Sequence, residues 1–125
     1  MLDPNFIILY VTHPETSAAF YAGLLGHEPL EVSPGFAMLS LSSGVMLGLW
    51  ARHTVLPEAL ISGGGSELAF VMPDRSSVDA MFADWSARGL PMAQTPTALD
   101  FGYTFVALDP DQHRLRVFAA GSPAA

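Results

Sequence analysis

FIILYVTHPETSAAFYAGLLG, residues 6–26, and ELAFVMPDRSSVDAMFADWSARG, residues 67–89, decide the fold of this chain. Each stretch is a β-rich apolar run followed by a helical pattern that ends at a glycine. Aromatic residues occupy equivalent positions in the two stretches, since Phe20 of the first matches Phe82 of the second. Three further short strands are predicted after each helix. The chain therefore contains one βαβββ unit twice, which is a supersecondary repeat.

The predicted fold class is α+β, with two βαβββ modules in a single domain of 125 residues. The strands after the helices are predicted from PLEV, FAMLSL and VMLGLW in the first copy and from PMAQ, YTFVAL and RLRVF in the second. The first module covers about residues 5–52, the linker 53–65 and the second module 66–120. A triple glycine in the linker indicates a hinge. Residues 121–125 are predicted to form a loose tail.

Composition excludes several classes of function. The chain has five Arg, no Lys and a net charge of −7, so it lacks the basic cluster that nucleic acid or an anionic membrane surface requires. It has no Cys, which excludes disulfides and thiolate chemistry and is compatible with a cytoplasmic location. The N-terminus lacks the features of a signal peptide, and no apolar run is long enough to span a membrane.

Two sequence motifs carry more specific information than the spacing of the apolar residues. They are V-x-x-P-x-x-S-x-x-F-Y-x-x-L-L-G at residues 11–26 and F-G-x-x-F-x-x-x-D-P-D-x-H at residues 101–113. With them the chain resembles the vicinal oxygen chelate superfamily, which includes glyoxalase I, bleomycin-resistance proteins and extradiol dioxygenases. Within it, VMLGLW, ELAFVMP and VDAMFADW look most like the phenazine antibiotic-resistance proteins. The resemblance implies a curved mixed sheet around a cavity, commonly completed by a second chain.

Catalytic members of the superfamily hold a divalent metal at strand positions that correspond here to Phe6, Glu67 and Arg116. Phe has no donor atom, and Arg stays protonated and repels a cation. One carboxylate does not hold a divalent ion against water, so we predict no metal and no other cofactor. Glu67 and Arg116 are instead predicted to form an ion pair, because opposed charges in an apolar site are tolerated when paired. The alternative is that both reach solvent separately.

Other residues are assigned to the predicted cavity by strand parity or by the resemblance. Trp50 is expected to stack on a flat ligand, with Gly48 leaving a space beside it; the alternative is a core Trp. Phe36 is a candidate lid. The remaining expected ligand-binding residues are Phe6, Ile8, Met46, Glu67, Gln94, Thr104 and Arg116. No catalytic residue is assigned.

Two details of local structure are also predicted. Thr12 is the expected N-cap of the first helix, with Pro14 in its first turn. Gln112 stands where the D-P-D-x-H turn of the superfamily normally has Gly. Either Gln112 is held in a left-handed conformation, or the turn differs.

The predicted function is sequestration of a planar aromatic compound, such as a phenazine-like or bleomycin-like antibiotic, by a homodimer with a shared cavity. Two alternatives stay open. One is a metal-independent lyase or isomerase with Glu67 as general base. The other is a catalytically inactive interaction module. The glycine hinge permits the modules to pair within one chain or to swap between two.

Overall fold

A computed structural model describes residues 1–121, so all but the first residue of the predicted tail lies outside the described residues. The structure divides into two compact units, the first ending at Gly63 and the second starting at Gly64. Each unit contains one βαβββ module. Across residues 1–121, no helix combines the length and the apolar character needed to cross a membrane.

The first module is a four-stranded sheet with one helix. Its elements are β1 (Phe6–Val11), α1 (Pro14–Leu25), β2 (Glu31–Val32), β3 (Phe36–Ser40) and β4 (Met46–Ala51), followed by a short 3-10 turn at Arg52–Thr54. The strand order is β1-β4-β3-β2. β1 runs parallel to β4, and the other pairs are antiparallel, so the sheet is mixed.

The second module repeats this arrangement. Its elements are β5 (Glu67–Val71), α2 (Arg75–Ala87), β6 (Met92–Leu99), β7 (Gly102–Leu108) and β8 (Arg114–Ala120). The order is β5-β8-β7-β6, with β5 parallel to β8. β6 is an eight-residue strand, longer than the predicted PMAQ segment. Its register shifts between Gln94 and Thr97, where Pro96 cannot donate a ladder hydrogen bond. The predicted α+β class with two βαβββ modules is confirmed.

Helix ends follow local chemistry, with one correction. His13, not the predicted Thr12, is the N-cap of α1, and its side chain makes no capping bond. Pro14 opens the helix, where its missing N–H costs nothing. Gly26 ends it at φ 72°, as predicted. In α2 the cap is Asp74, whose carboxylate accepts the Ser77 backbone N–H at 2.8 Å.

Each module buries one face of its sheet under its helix. In the first, Leu39, Leu47 and Leu49 are fully buried, as is Tyr21 of α1. In the second, the indole of Trp85 packs edge to face against the rings of Phe70 and Phe105, whose centroids each lie 5.6 Å away. Strand side chains alternate between faces, so the opposite face of each sheet is left for another role.

The turn between β7 and β8 is built around Asp109. Its Oδ1 accepts the backbone N–H groups of Asp111 and His113, each at 2.8 Å. Gln112 has φ 71°, so of the two alternatives for this position the structure shows the left-handed conformation. An L-residue in that conformation brings its Cβ close to the following carbonyl, which stores strain in the turn.

Candidate functional site

The face of the first sheet that does not contact α1 is apolar and aromatic. We call it the first-module face: Phe6, Ile8, Tyr10, Phe36, Met38, Met46, Gly48 and Trp50. Cross-strand register places these residues together, since Phe6 lies opposite Met46, and Phe36 lies opposite Trp50. Glu31 in β2 lies opposite Met38, so one carboxylate borders these residues on the outer strand of the sheet. The exposed fractions of Phe6 and Ile8 are 41% and 44%, so apolar surface is available to a ligand.

Gly48 is the covered centre of this face. A Cβ added there would lie 2.7 Å from Cε1 of Phe6 and 3.0 Å from Cζ of Phe36. Gly48 was expected to leave an empty space beside Trp50. That expectation is wrong, because the two phenyl rings from the neighbouring strands occupy the space. The missing side chain of Gly48 lets both rings lie against the sheet. Together they form an aromatic floor, and Phe36 is part of it.

Trp50 keeps part of its indole accessible at the end of β4. Its ring meets the Tyr10 ring edge to face, with centroids 6.2 Å apart and an interplanar angle of 80°. This contact orients the indole from one side. The residue is only partly buried, unlike Trp85, whose exposed fraction is 3%. Trp50 therefore lies on the open face of the sheet and not in the core under α1.

The corresponding face of the second sheet carries charged and polar side chains at its centre. We call it the second-module face: Glu67, Ala69, Gln94, Thr104, Val106, Arg114, Arg116 and Phe118. At its centre Arg116 Nε donates to Glu67 Oε1 at 2.8 Å, and Arg116 Nη2 donates to Oε2 at 2.9 Å. The predicted ion pair is present, and it is bidentate. The side chains of Arg116 and Glu67 are 17% and 31% exposed.

Thr104 holds the guanidinium of Arg116 through a third hydrogen bond. Its hydroxyl accepts a hydrogen bond from Arg116 Nη1 at 3.2 Å and donates one to the Val117 carbonyl at 2.9 Å. The residue lies on the expected face but is 0% exposed. A ligand cannot reach it in this conformation, so its structural role is to position Arg116.

The ion pair changes the acidity of Glu67. The hydrogen bonds from Arg116 lower the pKa of Glu67 below its ordinary value, and the charges of Arg116 and Arg114 act in the same direction. Desolvation opposes this effect and is outweighed. A carboxylate with a lowered pKa is a weaker base, which counts against the alternative in which Glu67 abstracts a proton.

Gln94 and three residues that the sequence reasoning missed complete this region. Gln94 lies opposite Val106, in the same cross-strand row as Arg116. Phe101 packs its ring edge to face on Phe118, with centroids 5.6 Å apart, and it also lies under the Arg116 guanidinium at 5.7 Å. Arg114 lies opposite Glu67. Strand parity from Arg116 would have found Arg114 and Phe118, whereas Phe101 lies in a turn and carries no such signal.

The metal positions of the superfamily do not fit a metal in this chain. Phe6 offers no donor atom, and the guanidinium of Arg116 already occupies the carboxylate of Glu67. Among residues 1–121, His, Asp and Glu side chains form no group of three that could hold an ion. A metal would have to displace a cation from its only carboxylate ligand here, and this is unfavourable.

The first unit also contains a cleft in the linker segment. Its volume is about 480 Å³, and it is lined by Arg52, His53, Val55, Leu56, Glu58, Ala59 and Leu60. None of the residues predicted to bind a ligand lines it.

Comparison with known proteins identifies the family. The Glyoxalase/Bleomycin resistance protein/Dioxygenase superfamily matches residues 4–117, so the chain belongs to that superfamily. Phenazine antibiotic resistance protein EhpR from Enterobacter agglomerans is 29% identical over 119 residues, which are 93% of this chain and 91% of EhpR.

Solved structures agree with this assignment. Protein ATC0852 from Agrobacterium tumefaciens, solved in solution by NMR, is 52% identical to this chain, with a TM-score of 0.88 and coverage of 98% and 100% of the two chains. A glyoxalase/bleomycin resistance protein/dioxygenase from Nocardioides has a TM-score of 0.83 at 23% identity, covering 98% and 88%. The latter likeness concerns the fold alone.

Proposed function

We propose that this protein binds planar aromatic small molecules without chemical change and protects a cell by sequestering them. The observation that carries the proposal is the first-module face, an apolar and aromatic surface that α1 leaves accessible. Phe6 and Phe36 provide its floor, and the indole of Trp50 stands beside them. A flat ring system fits such a surface because one whole face of it can lie against the aromatic floor.

The energetics favour rings over aliphatic ligands. Stacking on an aromatic side chain contributes about 0.5–1.5 kcal/mol beyond the burial of apolar area. Met38 and Met46 lie on the same face, and their flexible thioethers adapt to ligands of different outline. The surface therefore suits a class of polycyclic compounds better than a single substrate.

The relationship to EhpR supports the choice of ligand class. That protein is described as conferring phenazine antibiotic resistance, and it aligns with nearly the whole of this chain. We propose phenazine-type antibiotics as the first ligands to test, and a cytoplasmic location in which bound drug is withheld from its targets. Sequestration is stoichiometric, so the amount of protein must be comparable to the amount of drug.

The enzymatic alternative is less well supported. The Glu67 carboxylate is held by Arg116 and has a lowered pKa, so it is poorly prepared to take up a proton. We propose that the ion pair is a positioning element and not a general base. Recovery of unchanged ligand by mass spectrometry after prolonged incubation supports binding alone, whereas a modified product would establish an enzyme.

We further propose a homodimer. β1 and β5 are outer strands of their sheets, and both carry exposed aliphatic residues: Ile8 is 44% exposed and Val71 is 70% exposed. An apolar outer strand is prone to pair with another chain. Light scattering should then give twice the 13.3 kDa mass of one chain, and Val71→Glu should reduce it. A monomeric wild type would contradict this proposal.

Titration with phenazine tests the binding function directly. Binding should quench indole fluorescence and raise the melting temperature, because the ligand binds only the folded state. Trp50→Ala should weaken binding about tenfold or less, corresponding to the loss of one stacking partner. Leu60→Ser, which removes an exposed aliphatic residue outside the first-module face, is the matched control and should bind normally. If wild type and Trp50→Ala bind phenazine with equal affinity, the first-module face is not the binding site.

A further inference from the structure

We infer that the cleft in the linker segment binds a short aliphatic peptide by its two free ends. In this arrangement Arg52 and His53 hold the carboxylate of the peptide, and Glu58 holds its ammonium group. The cleft lies within the first unit, and it contains no residue of the first-module face. The inference therefore goes beyond the proposed function and does not depend on it.

The cleft has the size and the apolar walls of a small-molecule site. Its volume of about 480 Å³ lies within the range of about 300–1,000 Å³ that is usual for such sites. Val55 is 3% exposed, so packing fixes it as part of the wall, whereas Leu56 is 79% exposed. A ligand side chain that covers Leu56 removes apolar surface from water, and this favours binding. The residues that line the cleft include no Phe, Tyr or Trp, so they suit an aliphatic ligand better than a stacked ring.

The charged side chains of the cleft are unpaired. Across residues 1–121, the side chains of Arg52, His53 and Glu58 make no hydrogen bond and no ion pair. Guanidinium groups elsewhere are engaged: Arg75 lies on the Tyr103 ring, Arg88 pairs with Asp84, and Arg116 pairs with Glu67. A cation and an anion that line one cleft without meeting each other are both available to a ligand. A peptide with free ends carries the two complementary charges at the two ends of one backbone.

The backbone of the cleft is fixed on one side and unpaired on the other. The cationic side belongs to the 3-10 turn Arg52–Thr54, which directly follows β4. The Thr54 hydroxyl donates to the Ala51 carbonyl at 2.8 Å and ties this turn to the strand. In contrast, the backbone of residues 56–62 makes no hydrogen bond within the described part of the chain. Its N–H and C=O groups can therefore pair with the peptide group of a ligand.

The test uses three dipeptides that differ only at their ends. Leucyl-leucine has both charges, its N-acetyl form lacks the ammonium group, and its C-terminal amide lacks the carboxylate. In calorimetric titration at neutral pH, wild type should bind leucyl-leucine about tenfold more tightly than either blocked form, because each has lost one charge-assisted hydrogen bond. Arg52→Gln should lose the preference over the amide and keep the preference over the N-acetyl form. Glu58→Gln should show the reverse pattern.

Arg88→Gln and Glu28→Gln are the matched controls. They make the same changes in net charge at exposed positions outside the cleft, so both preferences should persist. Circular dichroism should confirm that each variant is folded. Three equal affinities in wild type, no binding of leucyl-leucine at millimolar concentration, or an equal loss of preference in Arg52→Gln and Arg88→Gln would each overturn the inference. The proposed function would be unaffected by these results, because the phenazine titration tests it separately.

Discussion

The guanidinium of Arg116 holds both carboxylate oxygens of Glu67, at 2.8 and 2.9 Å, across two neighbouring strands. These two positions correspond to metal positions in catalytic relatives that the sequence resembles. A fixed cation of the protein therefore replaces a bound ion here. The pair keeps a charged, hydrogen-bonded centre on the second-module face.

The first prediction concerns pH. The pKa of Glu67 is lowered in the folded state from its ordinary value of 4.5, so the ion pair stabilises the fold above that value and is lost as the pH falls through the folded pKa. The melting temperature of wild type should fall more steeply below about pH 4.5 than that of Glu67→Gln. Glu58→Gln, which changes an exposed linker residue, should follow the wild-type curve. Parallel curves for wild type and Glu67→Gln would contradict the linkage.

The second prediction concerns metals. Because Arg116 occupies the only carboxylate at these positions, zinc, nickel or manganese alone should not raise the melting temperature. Any small effect should be abolished equally by a chelator in wild type and in Glu67→Gln. A shift of several degrees that disappears in Glu67→Gln would show that Glu67 coordinates an ion.

The third prediction concerns the aromatic floor. Gly48→Ala would place a Cβ 2.7 Å from Phe6 and 3.0 Å from Phe36, so both rings must move off the sheet. The free energy of unfolding should fall by about 1 kcal/mol. This is at the low end of the cost of overpacking, because Phe6 is 41% exposed and its ring can tilt. The affinity for phenazine should fall by a larger factor than the loss of folding free energy alone would produce. Gly35→Ala, where a Cβ meets nothing within 4 Å, is the control and should retain binding.

The fourth prediction concerns strain. Gln112 has φ 71°, a conformation that costs an L-residue about 1–2 kcal/mol. Gln112→Gly should raise the free energy of unfolding by about 0.5–1 kcal/mol, since the flexibility of glycine in the unfolded chain offsets part of the relief. Gln112→Ala keeps the Cβ and should not stabilise. Chemical denaturation of the three proteins checks this, and a gain in Gln112→Ala would assign the effect to the side chain.

The order of elements could be read from the sequence because it follows from local periodicity and from residues that end helices. The two apolar runs, the helical patterns and the glycine at position 26 each report on their immediate neighbours. The Glu67–Arg116 pair was also anticipated, but through the family resemblance. Gln112 was identified because a position that normally holds Gly carries a side chain.

Other features depended on register between strands that are distant in the chain. Gly48 was expected to leave a space, yet side chains from β1 and β3 close over it. Thr104 was expected to meet a ligand, yet it is buried beneath Arg116, and Phe101 joins the same region from a turn. The sequence alone determined which residues form strands and which faces they share, because that information is local. Only the tertiary structure decided which side chains meet, because packing depends on pairs that no local pattern records.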